Sequence, residues 1–181
     1  MQNKRNAISV QMLVMSAICL ALCLVLPFLT GQIPEIGSKL CPMHIPVLLC
    51  GFLCGPAYAL VVGAIAPLVR FVLFGMPPIF PTGVAMCFEL AAYGLVSGLM
   101  YRRLPKKMVS IYASLIVAMI AGRVVWGVAQ AILLGLTGSA LTWKMFITSA
   151  VLNAIPGIVI HIVLIPVIVM ALKHALPSLR R

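Results

Sequence analysis

Residues 41–56 read CPMHIPVLLCGFLCGP, and they decide how many helices the chain contains. They lead into an apolar run from Ile45 to Phe74. As one α-helix that run would reach about 45 Å, well beyond the roughly 30 Å hydrocarbon core of a bilayer. Gly55-Pro56 interrupts it. Proline lacks the backbone donor and restricts the residue before it, so one helix ends there and another begins. The reading is a short second helix over about Pro42–Cys54, a tight turn, and a third helix over Ala57–Phe74. The second is too short to cross a bilayer unaided.

Composition agrees with that reading. Of the 181 residues 64% are apolar, while only 13 are basic and 2 acidic. Soluble domains are about half apolar and about a quarter charged, so this chain could not cover a water-facing surface. A soluble enzyme or a DNA-binding domain is thereby excluded. The net charge of +11 is spread between apolar runs instead of forming one stripe. Six spans of roughly 20 residues use about 120 residues, close to the apolar share. The chain reads as a single transmembrane domain over 1–181. It is an all-α integral membrane protein, a compact bundle of six transmembrane helices whose second helix is short.

The remaining runs are Ile8–Leu29, Thr82–Tyr101, Met108–Leu136 and Thr142–Leu172. The first follows Lys4-Arg5, as a secretory signal would. It is too long for a signal core and no A-x-A-like site closes it, so it reads as a retained first helix. Positive charge separates six helices with a cytoplasmic N-terminus only weakly from five with the N-terminus outside, and the Gly55-Pro56 break decides for six. Lys4, Arg5, Arg102, Arg103, Lys106, Lys107, Lys173, Arg180 and Arg181 then lie inside, with Lys39, Lys144 and Arg70 on the outer side. Both termini are cytoplasmic in this arrangement. Two loops face out: Thr30–His44, stiffened by Pro34 and Pro42, and GMPPIFP at 75–81, with three prolines. They read either as connectors or as a lid over an outward-facing pocket. No internal repeat supports a carrier of two inverted halves.

Ionisable side chains within spans are costly and face a cavity or a partner. Glu89 in helix four and Arg123 in helix five fall at similar depth in the outer half, with Arg70 of helix three in the same layer. Arg123, Trp126 and Gln130 share one face of helix five, and Glu89 and Tyr93 share one face of helix four. Asn153 lies near mid-membrane in helix six, and His44 stands at the mouth. These groups suit a site for a small polar molecule, while a structural Glu89–Arg123 pair joining two helices explains two of them equally well. If Glu89 neutralises Arg123, Arg70 is left over and favours an anionic ligand such as a carboxylate. His161, counted down an unbroken helix six, falls at the inner edge and reads as an interfacial side chain.

Of the six cysteines, Cys19, Cys23, Cys50 and Cys54 sit at helical spacing and read as small hydrophobes. Cys41 lies in an external loop as an exposed thiol. With Met43 and His44 it could take a soft metal, but no carboxylate or second histidine stands at ligand spacing, and no metal is expected. The eleven methionines read as packing.

The short second helix entered by a histidine-proline stretch and the Gly-Pro turn into the third resemble a known class. So does the stretch PLVRFVLFGMPPIFPTGVAMCFELAAYGLVSGL at 67–99. The chain is similar to the substrate-binding S components of energy-coupling factor (ECF) transporters, the bacterial vitamin importers. The resemblance implies a high-affinity binding subunit in the bacterial cell membrane, holding one water-soluble vitamin or precursor in its outer half. It also implies docking onto a transmembrane coupling subunit served by two ATPase subunits, through an A-x-x-x-A pattern matched by Ala17 and Ala21. Cobalt and nickel members start with Met-His and use the free amino end as a ligand. Here MHIP is internal, at 43–46, so that version is not expected. Surplus arginine and a single pocket tryptophan favour a small carboxylate such as pantothenate or niacin. The chain has no phosphate-binding G-x-x-x-x-G-K-[ST] loop, so no cofactor is expected and ATP hydrolysis falls to partners.

Two other classes remain. Gly94-Leu-Val-Ser97-Gly98 approaches the motif of intramembrane serine proteases, with His161 as a base, although the spacing is wrong. A self-sufficient proton-coupled carrier could use Glu89 as its proton site.

Overall fold

The computed structural model describes residues 2–30, 33, 39–105, 107–140 and 142–175. Residues 31, 32 and 34–38 of the loop expected over Thr30–His44 lie outside the described residues, as do Lys106, Arg180 and Arg181. The fold is all-helical among those residues. The helices are α1 (Gln2–Val25), α2 (His44–Leu53), α3 (Pro56–Phe74), α4 (Val84–Arg103), α5 (Met108–Leu136), α6 (Trp143–Ile147) and α7 (Ile155–Ala175). A 3₁₀ turn, Leu26–Thr30, extends α1, and wider turns at Ile79–Gly83 and Thr148–Leu152 precede α4 and α7. Five segments are long and apolar enough to cross a membrane, and His44–Leu53 is a shorter apolar helix. The bundle is therefore that of a multi-pass membrane protein. Its outward surface agrees: Val72, Ile120, Val124, Val128 and Val163 are all exposed, an apolar coat suited to lipid and not to water.

The Gly55-Pro56 break falls where the sequence puts it. Gly55 has φ 97° and ψ 177°, a backbone conformation open essentially to glycine alone, and Pro56 starts α3. Proline is favoured at that position because the first helical N–H groups have no partner within the helix. The short α2 leads straight into α3 through this turn. At its far end α3 is capped by Gly75 in the left-handed conformation, whose N–H donates to Phe71 O.

One expectation is overturned. The sixth helix is not continuous over Thr142–Leu172. It consists of α6, a wide turn, a break at Asn153–Ala154, and then α7 from Ile155. Pro156 gives the reason: inside a continuous helix it would delete a hydrogen bond and clash with the preceding turn, whereas at the second position of α7 it does neither. The other boundaries shift by a few residues, and α5 matches the expected Met108–Leu136.

At the centre of the bundle, α4 packs on α2, α3 and α5. Its approach to α2 and α3 depends on small residues. Gly63 lies against the Leu90 carbonyl, Gly94 against Ala59, Gly98 against Pro56, and Gly51 against Ser97 and Gly94. In lipid, apolar surface gains little from helix contact itself, so association relies on close packing and internal polar contacts, which small residues permit. Ser97 is fully buried in this contact and donates to Gly94 O at 3.2 Å. It is a packing serine.

This packing generates a prediction. Gly63→Val would press a side chain onto the α4 backbone and is expected to cost about 1–3 kcal/mol, a drop of several degrees in the melting temperature in detergent. Gly135→Ala meets nothing within 4 Å and is expected to leave that temperature unchanged or slightly raised. Equal losses in both would show that close helix approach is not what the glycines provide.

Candidate functional site

Two helices each contribute one charge to the bundle interior. Arg123 Nη1 of α5 lies 2.9 Å from Glu89 Oε1 of α4, with the carboxylate almost wholly buried. A lone carboxylate in this setting would carry a large desolvation penalty, so the pair is obligatory in the sense that neither partner can be removed alone. The second guanidinium nitrogen, Nη2, reaches Cys41 Sγ at 3.6 Å. His44, the first residue of α2, brings Nε2 to 3.4 Å from the same Glu89 oxygen. Its ring meets Tyr93 edge-on at 4.9 Å and stacks on His161 at 6.0 Å.

Glu89, Arg123, Cys41 and His44 form the floor of a cavity of about 570 Å³, within the usual range for small-molecule sites. It lies at the end of the bundle where α1 and α3 finish and α2 and α4 begin. Arg70 stands on its wall near the mouth. Its Nη1 donates to Leu24 O at 2.8 Å, and its guanidinium sits 5.6 Å from the Phe28 ring centre and 5.4 Å from that of Phe74. The two rings meet edge-on at 5.0 Å. No carboxylate pairs with Arg70 among the described residues. Trp126, Gln130 and Asn153 join the lining, as do Thr82 and Ser149, which the sequence reading did not single out; Trp126 stacks against Phe146 at 6.3 Å.

Of the eight residues named from sequence, His44, Arg70, Glu89, Arg123, Trp126, Gln130 and Asn153 line this one cavity. Tyr93 does not. It is buried behind the floor, against His44 and Gly122. Asn153 lies at the break before α7 instead of within a helix. The GMPPIFP segment supplies Met76, Pro77 and Pro78 to the lining, and Ile33 of the preceding loop joins them. The peptides Met76–Pro77 and Phe80–Pro81 are cis.

Several readings need correction. His161 is no interfacial side chain: it is buried and stacked on His44. An unbroken sixth helix would carry His161 to the inner edge, whereas α7 starts at Ile155 and leaves it about two turns from the cavity end. Cys41 is buried, not exposed. It adopts a left-handed backbone, φ 49°, and its carbonyl accepts from His44 N at 3.0 Å, which turns the thiol inward to Arg123. Met43, Met76, Met86 and Met145 line the cavity, so these methionines do more than fill the core. A thioether is polarisable and adapts its shape, but nothing in its sequence spacing announces a cavity. No group of three or more metal-ligating side chains occurs among the described residues.

Five buried polar atoms of lining residues lack a hydrogen bond: His44 Nδ1 and Nε2, Arg123 Nε, Gln130 Oε1 and Glu89 Oε1, the last held in its ion-pair contacts to Arg123 and His44. An unmet buried polar atom costs about 1–3 kcal/mol, which a polar guest in the cavity would offset. Fold and site together define a membrane-embedded protein with an apolar coat and, at one end, a cavity whose mainly apolar wall carries a few polar groups. The chain belongs to a transporter family: the model of the ECF transporter, substrate-specific component, matches residues 11–169. Neither a curated protein nor a solved structure matches the chain significantly. A substrate-specific component of an ECF transporter binds a transport substrate, associates with the other transporter subunits, and is not an enzyme.

The buried pair generates its own prediction. Arg123→Met leaves Glu89 buried without a cation and is expected to cost about 3–5 kcal/mol. Adding Glu89→Leu to it should restore most of that loss. Unfolding of detergent-solubilised protein checks both; a double variant no more stable than Arg123→Met alone would show that the charges are not coupled.

Proposed function

We propose that this S component captures a small, water-soluble carboxylate, of the size of the vitamins pantothenate and niacin, from the outer face of the bacterial cell membrane. The observation that carries the reading is charge balance in the cavity. Glu89 is committed to Arg123 at 2.9 Å, and Arg70 remains as a lining cation with no carboxylate partner among the described residues. A guest with one negative charge neutralises it, and a guanidinium recognises a carboxylate through paired hydrogen bonds.

Charge placement supports the orientation. Arg102, Arg103, Lys107 and Lys173 belong to the bundle end opposite the cavity, where α1 also begins. Basic residues concentrate on the cytoplasmic side, so the cavity faces out and both termini face in. Delivery follows the division of labour of the family: the chain docks onto a transmembrane coupling subunit, and two ATPase subunits supply the energy. Ala17 and Ala21 are exposed on α1. Ala17 borders an apolar groove of about 440 Å³ between α1 and α3, with Leu13, Leu20, Tyr58, Val61 and Ile65. Small residues beside a groove allow another helix to approach closely.

Mass spectrometry of small molecules retained by protein purified from rich medium tests the reading. One carboxylate of vitamin size at near one per chain is expected, and it should be lost in Arg70→Ala and Arg123→Ala. A cationic retained compound, or unchanged retention in both variants, would overturn the reading. The docking face has a separate test. Ala17→Trp should leave retention unchanged and abolish co-purification with co-expressed coupling and ATPase subunits. Purified chain alone in vesicles should bind without accumulating its ligand; proton-driven accumulation would favour a self-sufficient carrier.

A further inference from the structure

The cavity holds its two guanidinium groups at different depths, and the packing of α3 on α4 gives the difference. Gly63 lies against Leu90, Ala59 against Gly94, and Pro56 against Gly98. Continued to the end of α3, this antiparallel register brings Arg70 level with the start of α4 at Val84. Glu89 is therefore about five residues deeper, roughly 8 Å at 1.5 Å per residue. The side chain of Arg70 does not close that gap, because its guanidinium is held toward the mouth, against Phe74 one turn further along α3.

The two ends also differ in chemistry. At the mouth, Arg70 is 4% exposed and clamped by Phe28 and Phe74. Only Nη1 is engaged among the described residues, by Leu24 O, so most of its five donors remain for a guest. On the floor, the charge of Arg123 is already balanced by Glu89, while His44 and Arg123 keep unmet polar atoms. The mouth can take net negative charge; the floor can take hydrogen bonds but no further charge without cost.

We infer that the ligand is two-ended: an anionic group bound by Arg70 at the mouth, and an uncharged hydroxyl or amide group about 8 Å deeper against Glu89, Arg123 and His44. This rests on the carboxylate reading and narrows it to elongated acids. The cavity wall between the ends is largely apolar, with Met86 and Met43 among its residues, which suits a short aliphatic linker.

Binding of three probes to the purified full chain, emptied of retained ligand, tests this: pantothenate, its alcohol analogue panthenol, and nicotinate. Extended pantothenate has a carboxylate and a terminal hydroxyl far enough apart to meet both ends; nicotinate falls well short. Pantothenate is expected to bind about tenfold or more tighter than either of the others, the difference a charge-assisted pair supplies. Arg70→Gln should erase its advantage over panthenol. Glu89→Gln should weaken both compounds by a similar factor and preserve that advantage. Nicotinate binding as tightly as pantothenate, or an advantage that survives Arg70→Gln, would overturn the two-ended assignment while leaving the carboxylate reading standing. Binding of none of the probes, or panthenol bound as tightly as pantothenate by the unaltered chain, would overturn both. Circular dichroism and a single monodisperse elution peak establish that each variant is folded before its affinity is read.

Discussion

A carboxylate buried in an apolar bundle has to be answered by a cation, and the Glu89–Arg123 pair is where this structure meets that demand. The 2.9 Å contact ties α4 to α5 at one depth and engages Glu89, the one acidic residue lining the cavity among the described residues. Everything polar nearby is arranged around it: Cys41 takes the second guanidinium nitrogen, His44 approaches the carboxylate, and Tyr93 and His161 pack on His44. The pair is structural and also sets the chemistry of the cavity. In the proposed reading, once Glu89 and Arg123 cancel, Arg70 is the cation left for the guest.

Glycine contacts of α4 make that arrangement possible. Because Gly63, Gly94 and Gly98 let the backbones of α3 and α4 approach closely, the register of the two helices is fixed by backbone contact and not by long, adaptable side chains. Fixed register means fixed depth for Arg70 relative to Glu89. A membrane bundle gains little from burying oil in oil, so steric fit and buried polar contacts carry the specificity that a hydrophobic core supplies in water. The same economy explains the division of the molecule. One end holds the cavity, with Pro77 and Pro78 in its lining; the other is closed by tight packing and fringed by basic residues.

Much of this was legible before any coordinates. A glycine-proline pair inside an overlong apolar run can do little but break it, because proline's constraint is local and does not depend on context. Glu89, Arg123 and Arg70 declared themselves by being ionisable among apolar neighbours, and helical spacing put Trp126 and Gln130 on the face of Arg123. His161 was misplaced because depth was measured along a helix that Asn153 and Pro156 interrupt. The prolines of the 75–81 loop signalled stiffness, but not that Met76 would reach the cavity.

The sequence by itself therefore determined the class of molecule, the break between α2 and α3, the approximate limits of most of the helices, and which side chains had to find polar company. These follow from hydrophobicity, chain length and proline geometry, all properties of short stretches. Only the tertiary structure decided which groups met: that Cys41 turns inward to Arg123, that two histidines 117 positions apart stack, that Tyr93 stands behind the floor and four methionines line the cavity. Those contacts depend on how helices are rotated and set against one another. That information lies in the close packing of small residues across the bundle, not in the pattern along any one helix.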